Sequence, residues 1–382
     1  MRYLTNNATD PHFNMAFDEA VMEWLPLGEP VFYLWQNRPA VIIGLNQSAY
    51  GEVNLPYLEE HGIVLARRVT GGGAVYHDLG NLNYSIVGRT ADMDADLPHY
   101  LSLVRDALHS LGVPAEVSGR NDIMVEGRKC SGYAKRLFRD RMMIHGTLMF
   151  DVDLEVLTRA LSVPGSKLSA AGVASVRSRV CNLSDYLPGW TLADFRAALK
   201  DFLAATPVWL TESAGWEEMG ETPAVRQRTA CAELSPRSDG VSTVSSRRPV
   251  SQKGEVALPE GFLDMVEQLA QKKFRTWEWI YGQSPATDFC VRRKFPSCGT
   301  IEARYSVRHG LLADVRFSGD FLGALPLDAP LPEGCPAAGK TLAEALNGTR
   351  YTPEAITAVL TPLPVSRYFD GLTPEALIAL FF

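Results

Sequence analysis

Two arginines and three consecutive glycines stand close together early in the chain, at residues 67–73. Three glycines after a predicted strand let the backbone turn tightly, and they let a ligand approach main-chain N–H groups with no Cβ in the way. Arg67 and Arg68 are suited to holding a phosphate or a carboxylate through charge-assisted hydrogen bonds. A glycine-rich surface turn with two solvated arginines fits the same residues. The stretch favours an anion site but leaves the plain turn open.

The glycines match neither of two common nucleotide-binding motifs. No G-x-x-x-x-G-K-[ST] occurs, because the Gly-Ser-Lys at residues 165–167 lacks the earlier glycine that a Walker loop needs. Gly71 and Gly73 would begin a dinucleotide fingerprint, but Tyr76 stands where its third glycine belongs. Neither motif is therefore present.

One lysine lies between a predicted turn and a pair of small residues. Lys129 follows Glu126 and Gly127 and precedes Ser131 and Gly132. In that setting a lysine can present a compact positive charge to an acyl oxygen or a phosphate. An isolated lysine is more often an exposed strand residue, so the position by itself leaves both interpretations open.

Two further polar residues fall near predicted strands. Asp122 can bind Mg²⁺ beside phosphates, because carboxylate oxygens suit that hard cation. A turn aspartate that bonds to the local backbone is the common alternative. His145 lies inside an apolar strand, where a histidine is more often a satisfied core residue than a catalyst.

A local excess of positive charge surrounds Lys129 in the sequence. In a chain of net charge −7, residues 128–141 hold six basic side chains opposed by Asp140 alone. Such a patch suits a polyphosphate or an acidic protein partner, and a solvated charged hairpin fits it equally well. The basic residues are Arg128, Lys129, Lys135, Arg136, Arg139 and Arg141.

The composition limits the class of protein. The 382 residues are 46% hydrophobic and 21% charged, which is ordinary for a soluble globular protein of about two domains. The net acidic charge argues against a protein that coats nucleic acid or an anionic membrane. No apolar run approaches a membrane span of about 18 residues, and the first residues lack a signal-peptide layout, so we expect a cytoplasmic protein. The six cysteines form no C-x-x-C pair, which disfavours a zinc site or a disulfide framework.

Mixed helices and strands are predicted for the first 210 residues, where they would position the residues above. Residues 31–35 and 40–44 are expected to pair with each other across the short polar connection between them. The other predicted strands are 63–66, 83–87, 123–125, 129–135 and 142–150, and the predicted helices are 13–24, 55–61, 97–111, 154–161 and 192–203.

The texture changes after residue 212. Residues 213–254 carry prolines and many serines with little apolar periodicity, which indicates a linker or a long mobile loop. Structure is predicted to resume at residue 258, with one helix at 262–274, an antiparallel meander of strands at 288–295, 300–307 and 311–317, and short helices at 343–346, 353–360 and 374–381.

Taken together and in order, these motifs resemble the lipoate–protein ligases and the related lipoyltransferases. The ordered set is highly specific and covers about residues 30–190, although any one motif alone would be weak. Residues 277–282 resemble the accessory domain of the same family. The matching segments are 34–35, 42–44, 67–78, 80–83, 119–122, 128–132, 145–148 and 175–182.

The resemblance implies an α+β fold with a mixed β-sheet flanked by helices, shared with biotin–protein ligases, and a smaller α+β C-terminal domain. We expect a catalytic domain at residues 1–212, a flexible linker at 213–257 and an accessory domain at 258–382. The segment between the two domains is longer than is usual in the family, so the resemblance does not define how the two domains contact each other.

The implied reaction has two steps. Lipoate and ATP, the latter as its Mg²⁺ complex, give lipoyl-AMP and pyrophosphate, and a lysine of an acceptor protein then attacks the activated carbonyl. No tightly bound prosthetic group is expected. The implied acceptors are the lipoyl domains of 2-oxo-acid dehydrogenase E2 subunits and the glycine-cleavage H protein, with no nucleic acid and no membrane as a partner. Because lipoyl domains are commonly acidic, the patch at residues 128–141 is the candidate landing site.

The resemblance also implies roles for single residues. Lys129 would be the catalytic lysine that contacts the acyl carbonyl and the adenylate phosphate, Asp122 would contribute to Mg²⁺ or nucleotide binding, and His145 falls at a site histidine of the family. An apolar slot for the lipoyl tail would be lined by Leu34, Trp35, Ile42 and Val75. The loop around lipoate and ATP would comprise Arg68, Gly71, Gly72, Gly73, Ala74, Val75 and Tyr76.

One departure and three rival functions accompany the resemblance. Many members have Arg-x-Gln-Asn after the strand glycine, whereas here Gly44 is followed by Leu-Asn-Gln-Ser, so a charged contact is expected to be missing. An octanoyltransferase of similar fold would use a cysteine thioester, for which Cys130 and Cys181 are candidates. A biotin–protein ligase is disfavoured by the glycine loop and by the lack of an N-terminal helix-turn-helix. A non-catalytic protein that only binds lipoyl domains is disfavoured by the intact Lys129.

Overall fold

The computed structural model describes residues 1–118, 122–161, 179–206, 208–209, 249–250, 254–296 and 298–382. The predicted linker at 213–257 lies almost wholly outside the described residues, as do residues 119–121 and 175–178 of the motifs and Cys231. The division into domains at 1–212, 213–257 and 258–382 therefore stays a prediction.

A seven-stranded sheet forms the centre of the N-terminal part. Its edge strand β1 runs parallel to β2 and every other neighbouring pair is antiparallel, so the sheet is mixed as expected. In spatial order the strands are β1 (Arg2–Tyr3), β2 (Val31–Trp35), β6 (Asn81–Arg89), β10 (Arg141–Met149), β9 (Arg128–Phe138), β8 (Asp122–Val125) and β7 (Ala115–Ser118).

A second sheet of three strands carries the glycine loop. Strand β3 (Ala40–Ile43) lies between β4 (Val64–Arg67), to which it is parallel, and β5 (Val75–His77), to which it is antiparallel. The connection from β4 to β5 contains the three glycines. The predicted strands at 31–35 and 40–44 both exist, but their predicted pairing is wrong, because β2 and β3 belong to different sheets.

The short connection between β2 and β3 explains why they separate. It packs onto the start of the first helix instead of making a hairpin turn. Asn37 is fully buried, and its side-chain oxygen accepts from Asn14 Nδ2 at 2.8 Å. The amide of Arg38 donates to Thr9 O at 2.9 Å. These bonds hold the chain as it crosses from one sheet to the other.

Helix α1 (Pro11–Glu23) lies against both sheets. Asp10 caps it by accepting from the amides of His12 and Phe13, and proline at the first helical position supplies a compatible φ. Residues 14–22 are all buried, so the helix is covered on nearly every side. The other helices of the N-terminal part are α2 (Leu55–Glu60), α3 (Met93–Ser110), α4 (Leu154–Ala160) and α5 (Leu192–Ala205).

The two faces of the large sheet have different partners. One face packs against α3 and α5 in a core that includes Leu34, Tyr84, Ile144 and Phe195. Because side chains alternate along a strand, their neighbours Trp35 and His145 point to the opposite face. That face meets α1 and the small sheet, and the cavity described below lies there.

The C-terminal part contains the predicted meander. The meander is confirmed, because β13 (Thr287–Phe295), β14 (Gly299–Arg308) and β15 (Leu311–Gly319) pair antiparallel in sequence order. A separate pair of two-residue strands is formed by β11 (Val208–Trp209) and β12 (Pro249–Val250). The core beneath the meander is closed by four short helices, and one of them, α10, was not predicted from the sequence. They are α8 (Leu342–Leu346), α9 (Pro353–Leu360), α10 (Val365–Tyr368) and α11 (Pro374–Ile378).

Residues 262–282 contact the N-terminal core. Helix α6 (Phe262–Leu269) continues into a π-helical turn (Ala270–Phe274), where the sequence predicts one uninterrupted helix, and α7 (Trp277–Ile280) follows. Phe262 packs edge-on against Phe17 of α1, with ring centroids 6.0 Å apart. The α+β fold with a smaller C-terminal sheet agrees with the sequence expectation. Among the described residues, no helix combines the length and apolarity that crossing a bilayer requires.

Candidate active site

A cavity of about 120 Å³ lies between the large sheet, α1 and the glycine loop. Trp35 and Ile42 are buried at one part of its wall, whereas Gly73 is exposed and Lys129 is half-buried at another. The residues that line it are Met15, Trp35, Ile42, Arg68, Gly72, Gly73, Ala74, Val75, His77, Asn83, Lys129, Gly132, Tyr133, Ala134, His145, Gly146 and Thr147.

The strand register gives this cavity a direction. Trp35 stands opposite Asn83, and Asn83 stands opposite Thr147 on the next strand. Gly132 N donates to Thr147 Oγ1 at 3.3 Å, and Gly132 stands opposite Asp122. Directly opposite residues share a face of the sheet. The cavity therefore runs across the strands, from the β8–β9 hairpin to β2, and β9 is three strand spacings, about 14 Å, from β2.

Lys129 lines the exposed end of the cavity, and Asp122, which is not a lining residue, pairs with it there. The turn between β8 and β9 is tight, with positive φ at Glu126 (50°) and Gly127 (76°), as the predicted turn requires. Lys129 Nζ lies 2.7 Å from Asp122 Oδ1, and both side chains are about one-third exposed. A cation at this place faces any anionic group that enters the cavity. No cluster of three or more potential metal ligands occurs in the described part of the chain, so Asp122 is a single carboxylate there.

Arg68 holds the glycine loop together from inside. Its guanidinium donates to Gly71 O at 2.8 Å, Gly73 O at 2.7 Å and Ile42 O at 3.0 Å. Burial lowers the pKa of Arg68 to about 10, which still leaves the group charged at neutral pH. Gly72 has φ +97°, in the region that favours glycine. Arg68 therefore lines the cavity, and most of its donors are already used to shape the loop.

Arg67 has a different position from its neighbour. It is fully buried, and its guanidinium donates to backbone carbonyls of two segments that are distant in the sequence. The acceptors are the carbonyl oxygens of Gly44, Leu45, Gln47, Trp279 and Ile280 together with Ser284 Oγ. The suggestion that Arg67 holds a phosphate or carboxylate is wrong, because its donors are consumed within the protein. The segment after Gly44, which lacks the family's arginine, contributes carbonyls to this cluster.

His145 belongs to a buried hydrogen-bond network on the cavity wall. Its Nδ1 lies 2.7 Å from Asp18 Oδ2, and its Nε2 lies 2.7 Å from Thr70 Oγ1. Asp18 also accepts from Tyr33 Oη at 2.5 Å and from Ser85 Oγ at 2.9 Å. The Asp18 carboxylate therefore joins Tyr33, Ser85 and His145 in one buried cluster. The network orients His145 and connects it to the loop.

Asp18 was not among the sequence-predicted site residues, although the pattern contained a signal. It lies on α1 between Phe17 and Glu19 and is almost completely buried. A carboxylate within a helix that is covered on nearly all sides needs partners, because an unpaired buried charge is costly. His77, Asn83 and Thr147 were missed as well, since strand alternation shows which residues share a face but does not show which face meets a cavity.

Several predicted positions lie outside the cavity. Leu34 points to the core of α3 and α5, one strand position from Trp35. Tyr76 is buried in a cluster with Val41 and Leu58, on the other side of β5 from Val75 and His77. Gly71 belongs to the loop but not to the lining, and its carbonyl faces Arg68. The remaining predicted lining positions, Trp35, Arg68, Gly72, Gly73, Ala74, Val75, Lys129 and His145, do line the cavity, as does Ile42.

Two family models match different parts of the chain. Residues 10–204 match the model of the lipoyl protein ligase A/B catalytic domain, and residues 284–381 match that of the bacterial lipoate protein ligase C-terminus. Lipoate-protein ligase LplJ of Bacillus subtilis is 31% identical over 385 residues and is covered in full, as is this chain. Lipoate–protein ligase 1 of Staphylococcus aureus is 32% identical, with 100% of this chain and 99% of the relative covered.

The chain belongs to the lipoyl protein ligase A/B family.

Solved structures of lipoate protein ligases have the same fold. The archaeal bipartite lipoate protein ligase of Thermoplasma acidophilum, from work that includes its E2 lipoyl domain, has a TM-score of 0.57 and 27% identity, and covers 74% of this chain and 96% of its own. A structure of protein Ta0514 from the same organism with bound lipoic acid has a TM-score of 0.54 and 26% identity, with coverage of 74% and 98%. A lipoate-protein ligase A bound with ATP has a TM-score of 0.54 and 25% identity, also with coverage of 74% and 98%.

In this lipoyl protein ligase family member the basic patch at residues 128–141 is largely paired within the protein. Lys135 lies 3.0 Å from Asp94, and Arg136 lies 3.0 Å from Glu23. Arg141 donates to the carbonyls of Met22, in the last turn of α1, and Leu25, just after it, and Arg128 donates to Tyr186 Oη. Arg139 is exposed at the hairpin turn and packs over the Phe138 ring. The landing site for an acceptor stays a prediction.

Proposed function

We propose that the chain is an ATP-dependent lipoate–protein ligase, which activates lipoate as lipoyl-AMP and transfers the lipoyl group to a lysine of lipoyl domains. One observation carries the proposal: a single cavity joins a buried apolar end at Trp35 and Ile42 to a cation, Lys129, beside a glycine loop. An acyl acid with an apolar tail fits that polarity, with its carboxylate at Lys129. The bound ATP and lipoic acid of the related structures support the choice of substrates.

The chemistry follows from these groups. In the first step a carboxylate oxygen of lipoate attacks the α-phosphorus of ATP, and the bond from that phosphorus to the pyrophosphate oxygen breaks. Negative charge grows on the transferring phosphate, and Lys129 and the N–H groups of the glycine loop are placed to stabilise it. In the second step the acceptor amine attacks the acyl carbonyl, AMP leaves, and the amine loses a proton. The protein supplies no nucleophile.

Mg²⁺ enters this proposal as part of the ATP complex. Mg²⁺ commonly takes one or two protein carboxylates together with substrate phosphates and water. Asp122, as a single carboxylate beside Lys129, fits that pattern and would hold the ion against the nucleotide phosphates. On nucleotide binding, Asp122 would exchange its ion pair with Lys129 for a contact with Mg²⁺.

The buried cysteines argue against the rival thioester mechanism. Cys130 is fully buried in the core on the opposite face of the sheet, and Cys181 belongs to the same core. Burial raises the pKa of Cys130 to about 12, and it also raises the pKa of Cys181. A thiol must be exposed and ionised to act as a nucleophile. Neither residue meets that requirement, and neither lines the cavity.

The acceptors are proposed on the same basis. An E2 lipoyl domain accompanies one of the related ligases, which supports lipoyl domains as the class of partner. The glycine-cleavage H protein is proposed as a second acceptor because it carries the same kind of domain.

The test is a mass measurement on the acceptor. Purified protein is incubated with lipoate, ATP, Mg²⁺ and an apo lipoyl domain, and in parallel with the H protein. We expect each acceptor to gain one lipoyl group only when ATP is present. A gain from octanoyl carrier protein without ATP would replace the proposal with the transferase, and tight binding without any gain would leave only a binding partner. The Cys130→Ala/Cys181→Ala variant should retain the ATP-dependent gain.

A further inference from the structure

The buried end of the cavity holds two polar atoms that have no hydrogen-bond partner in the described residues. They are His77 Nε2 and Asn83 Nδ2. Both residues line the cavity, and their exposures are only 3% and 1%. Buried polar groups are nearly always paired, and an unpaired one requires an explanation. Their position facing the cavity makes a bound ligand that explanation.

A chain of hydrogen bonds decides which proton His77 carries. Asn14 Nδ2 lies 3.1, 2.9 and 2.8 Å from the carbonyl oxygens of Ala8 and Gln36 and from Asn37 Oδ1, and its two hydrogens are shared among these three acceptors. Since only the amide nitrogen can donate to carbonyls, the orientation of Asn14 is determined, and that of Asn37 follows. Asn37 Nδ2 then faces His77 Nδ1 at 3.0 Å, so Nδ1 accepts.

His77 is consequently a neutral donor toward the cavity. With Nδ1 as acceptor, the single proton of the neutral ring lies on Nε2. Burial of the ring and the nearby charge of Arg68 both oppose a second proton on it. Asn83 and Asn81 share one amide–amide hydrogen bond at 2.8 Å, and the other amide atom of Asn83 faces the cavity. One N–H donor, on His77, and one side-chain amide, on Asn83, therefore face one buried space.

The sheet places these two groups far from the reacting carboxylate. Asn83 stands opposite Trp35, and the Trp35 ring lies edge-on to His77 with centroids 6.1 Å apart. Asn83 is on β6, two strands away from Lys129 on β9, or about 10 Å across the sheet. An acyl acid with its carboxylate at Lys129 would bring the end of its tail to Trp35, His77 and Asn83.

We propose that His77 and Asn83 are specificity-determining residues that select an acyl tail with a lone-pair-bearing atom at its far end, as the sulfur atoms of a dithiolane are, over a hydrocarbon tail of equal length. The inference rests on the proposed function. Thioether-type sulfur is a weak hydrogen-bond acceptor and also makes favourable contacts with aromatic rings such as Trp35. A hydrocarbon tail covers the His77 donor and the Asn83 amide and leaves both unpaired, which sites built to hydrogen-bond their substrate penalise strongly.

The test compares two acids in the adenylation step alone. The kcat/KM values for lipoate and octanoate are measured by ATP–pyrophosphate exchange in the full-length protein, in His77→Phe and in Asn83→Leu. We expect the wild-type protein to prefer lipoate by roughly tenfold or more, as one lost hydrogen bond implies. Each variant should lower the ratio to about threefold or less, because lipoate loses a polar partner and octanoate no longer leaves a polar group unpaired. A merely structural role would lower both values together.

Asn54→Ala is the matched control. Asn54 caps α2, where its side chain accepts from Tyr57 N, and it does not line the cavity. Its loss should reduce stability and leave the ratio unchanged. A wild-type ratio near one, or variants that keep the wild-type ratio, would overturn the inference while the ligase function stands. Exchange with neither acid in the wild-type protein would overturn the ligase function and the inference with it.

Discussion

Adjacent residues in this protein have sharply different environments, and Lys129 illustrates how environment assigns a role. It lies on the cavity side of β9, whereas its neighbour Cys130 is buried in the core behind the sheet. We expect Lys129→Ala to lower turnover about a hundredfold or more, since one preorganised charge-stabilising donor is lost. Lys135→Ala is the control on the same strand, because Lys135 pairs with Asp94 outside the cavity. Single-turnover formation of lipoyl-AMP is measured for both variants. Near-normal turnover in folded Lys129→Ala would show that Lys129 is not the catalytic lysine.

His77 gives a second prediction at this scale, in the dependence of stability on pH. Burial lowers the pKa of His77 to about 3, and nearby Arg68 adds to the effect. Between that value and the ordinary value of about 6.5, the unfolded chain binds a proton that the folded protein does not. The free energy of unfolding should therefore fall as the pH drops below about 6.5, by up to about 1.4 kcal/mol per pH unit from this group.

Urea unfolding at several pH values between 4 and 7 measures that slope. The His77→Phe variant should show a slope smaller by about one proton. Equal slopes in the two proteins would mean that His77 titrates normally in the folded state.

Among the elements, the glycine loop depends on close approach at Gly72. An added Cβ there would lie 2.9 Å from Arg68 Nη2, on a backbone with φ +97°. Strain of this kind costs roughly 1–3 kcal/mol, and it would displace the carbonyls that Arg68 holds. We expect Gly72→Val to weaken binding of a stable lipoyl-AMP analogue by tenfold or more, measured by calorimetry.

Gly71 offers a matched control in the same loop. A Cβ on Gly71 would meet no atom within 4 Å, and its φ is not in the left-handed region. Gly71→Ala should therefore bind the analogue almost as the wild-type protein does. If both variants bind equally, the shape of the loop does not matter to the ligand.

For the whole molecule, Arg67 joins the glycine-loop strand to the segment that leads into the C-terminal sheet. Its guanidinium reaches the carbonyls of Trp279 and Ile280, and Trp279 Nε1 returns a bond to Arg67 O at 2.9 Å. We expect Arg67→Met to destabilise the protein by about 3 kcal/mol or more, because several buried carbonyls lose their donor. Trp279→Phe removes one bond and should cost about 1 kcal/mol. Denaturant unfolding measures the free energy of unfolding of both variants. If both lose equally little stability, the Arg67 contact does not join the two parts of the molecule.

The sequence by itself determined the local elements and the chemical inventory. The periodicity of residues 13–24 predicted α1, and the alternation at 288–317 predicted the meander. The glycine triplet and Lys129 pointed to an acyl-adenylate site through the resemblance of the whole ordered set. These features depend on residues close together in the chain, so they can be recognised before any long-range contact is known.

Only the tertiary structure decided which of these residues meet. Arg67 and Arg68 are neighbours of one type, yet Arg67 ends β4 and joins two parts of the molecule, whereas Arg68 begins the glycine loop and shapes it. Asp18 and His77 became site residues only when α1 and β5 came against the large sheet. The pairing of β2 with β6 instead of β3 likewise depended on contacts with a distant strand. Long-range pairing selects the face and the partner of each side chain, and a local pattern carries no information about either.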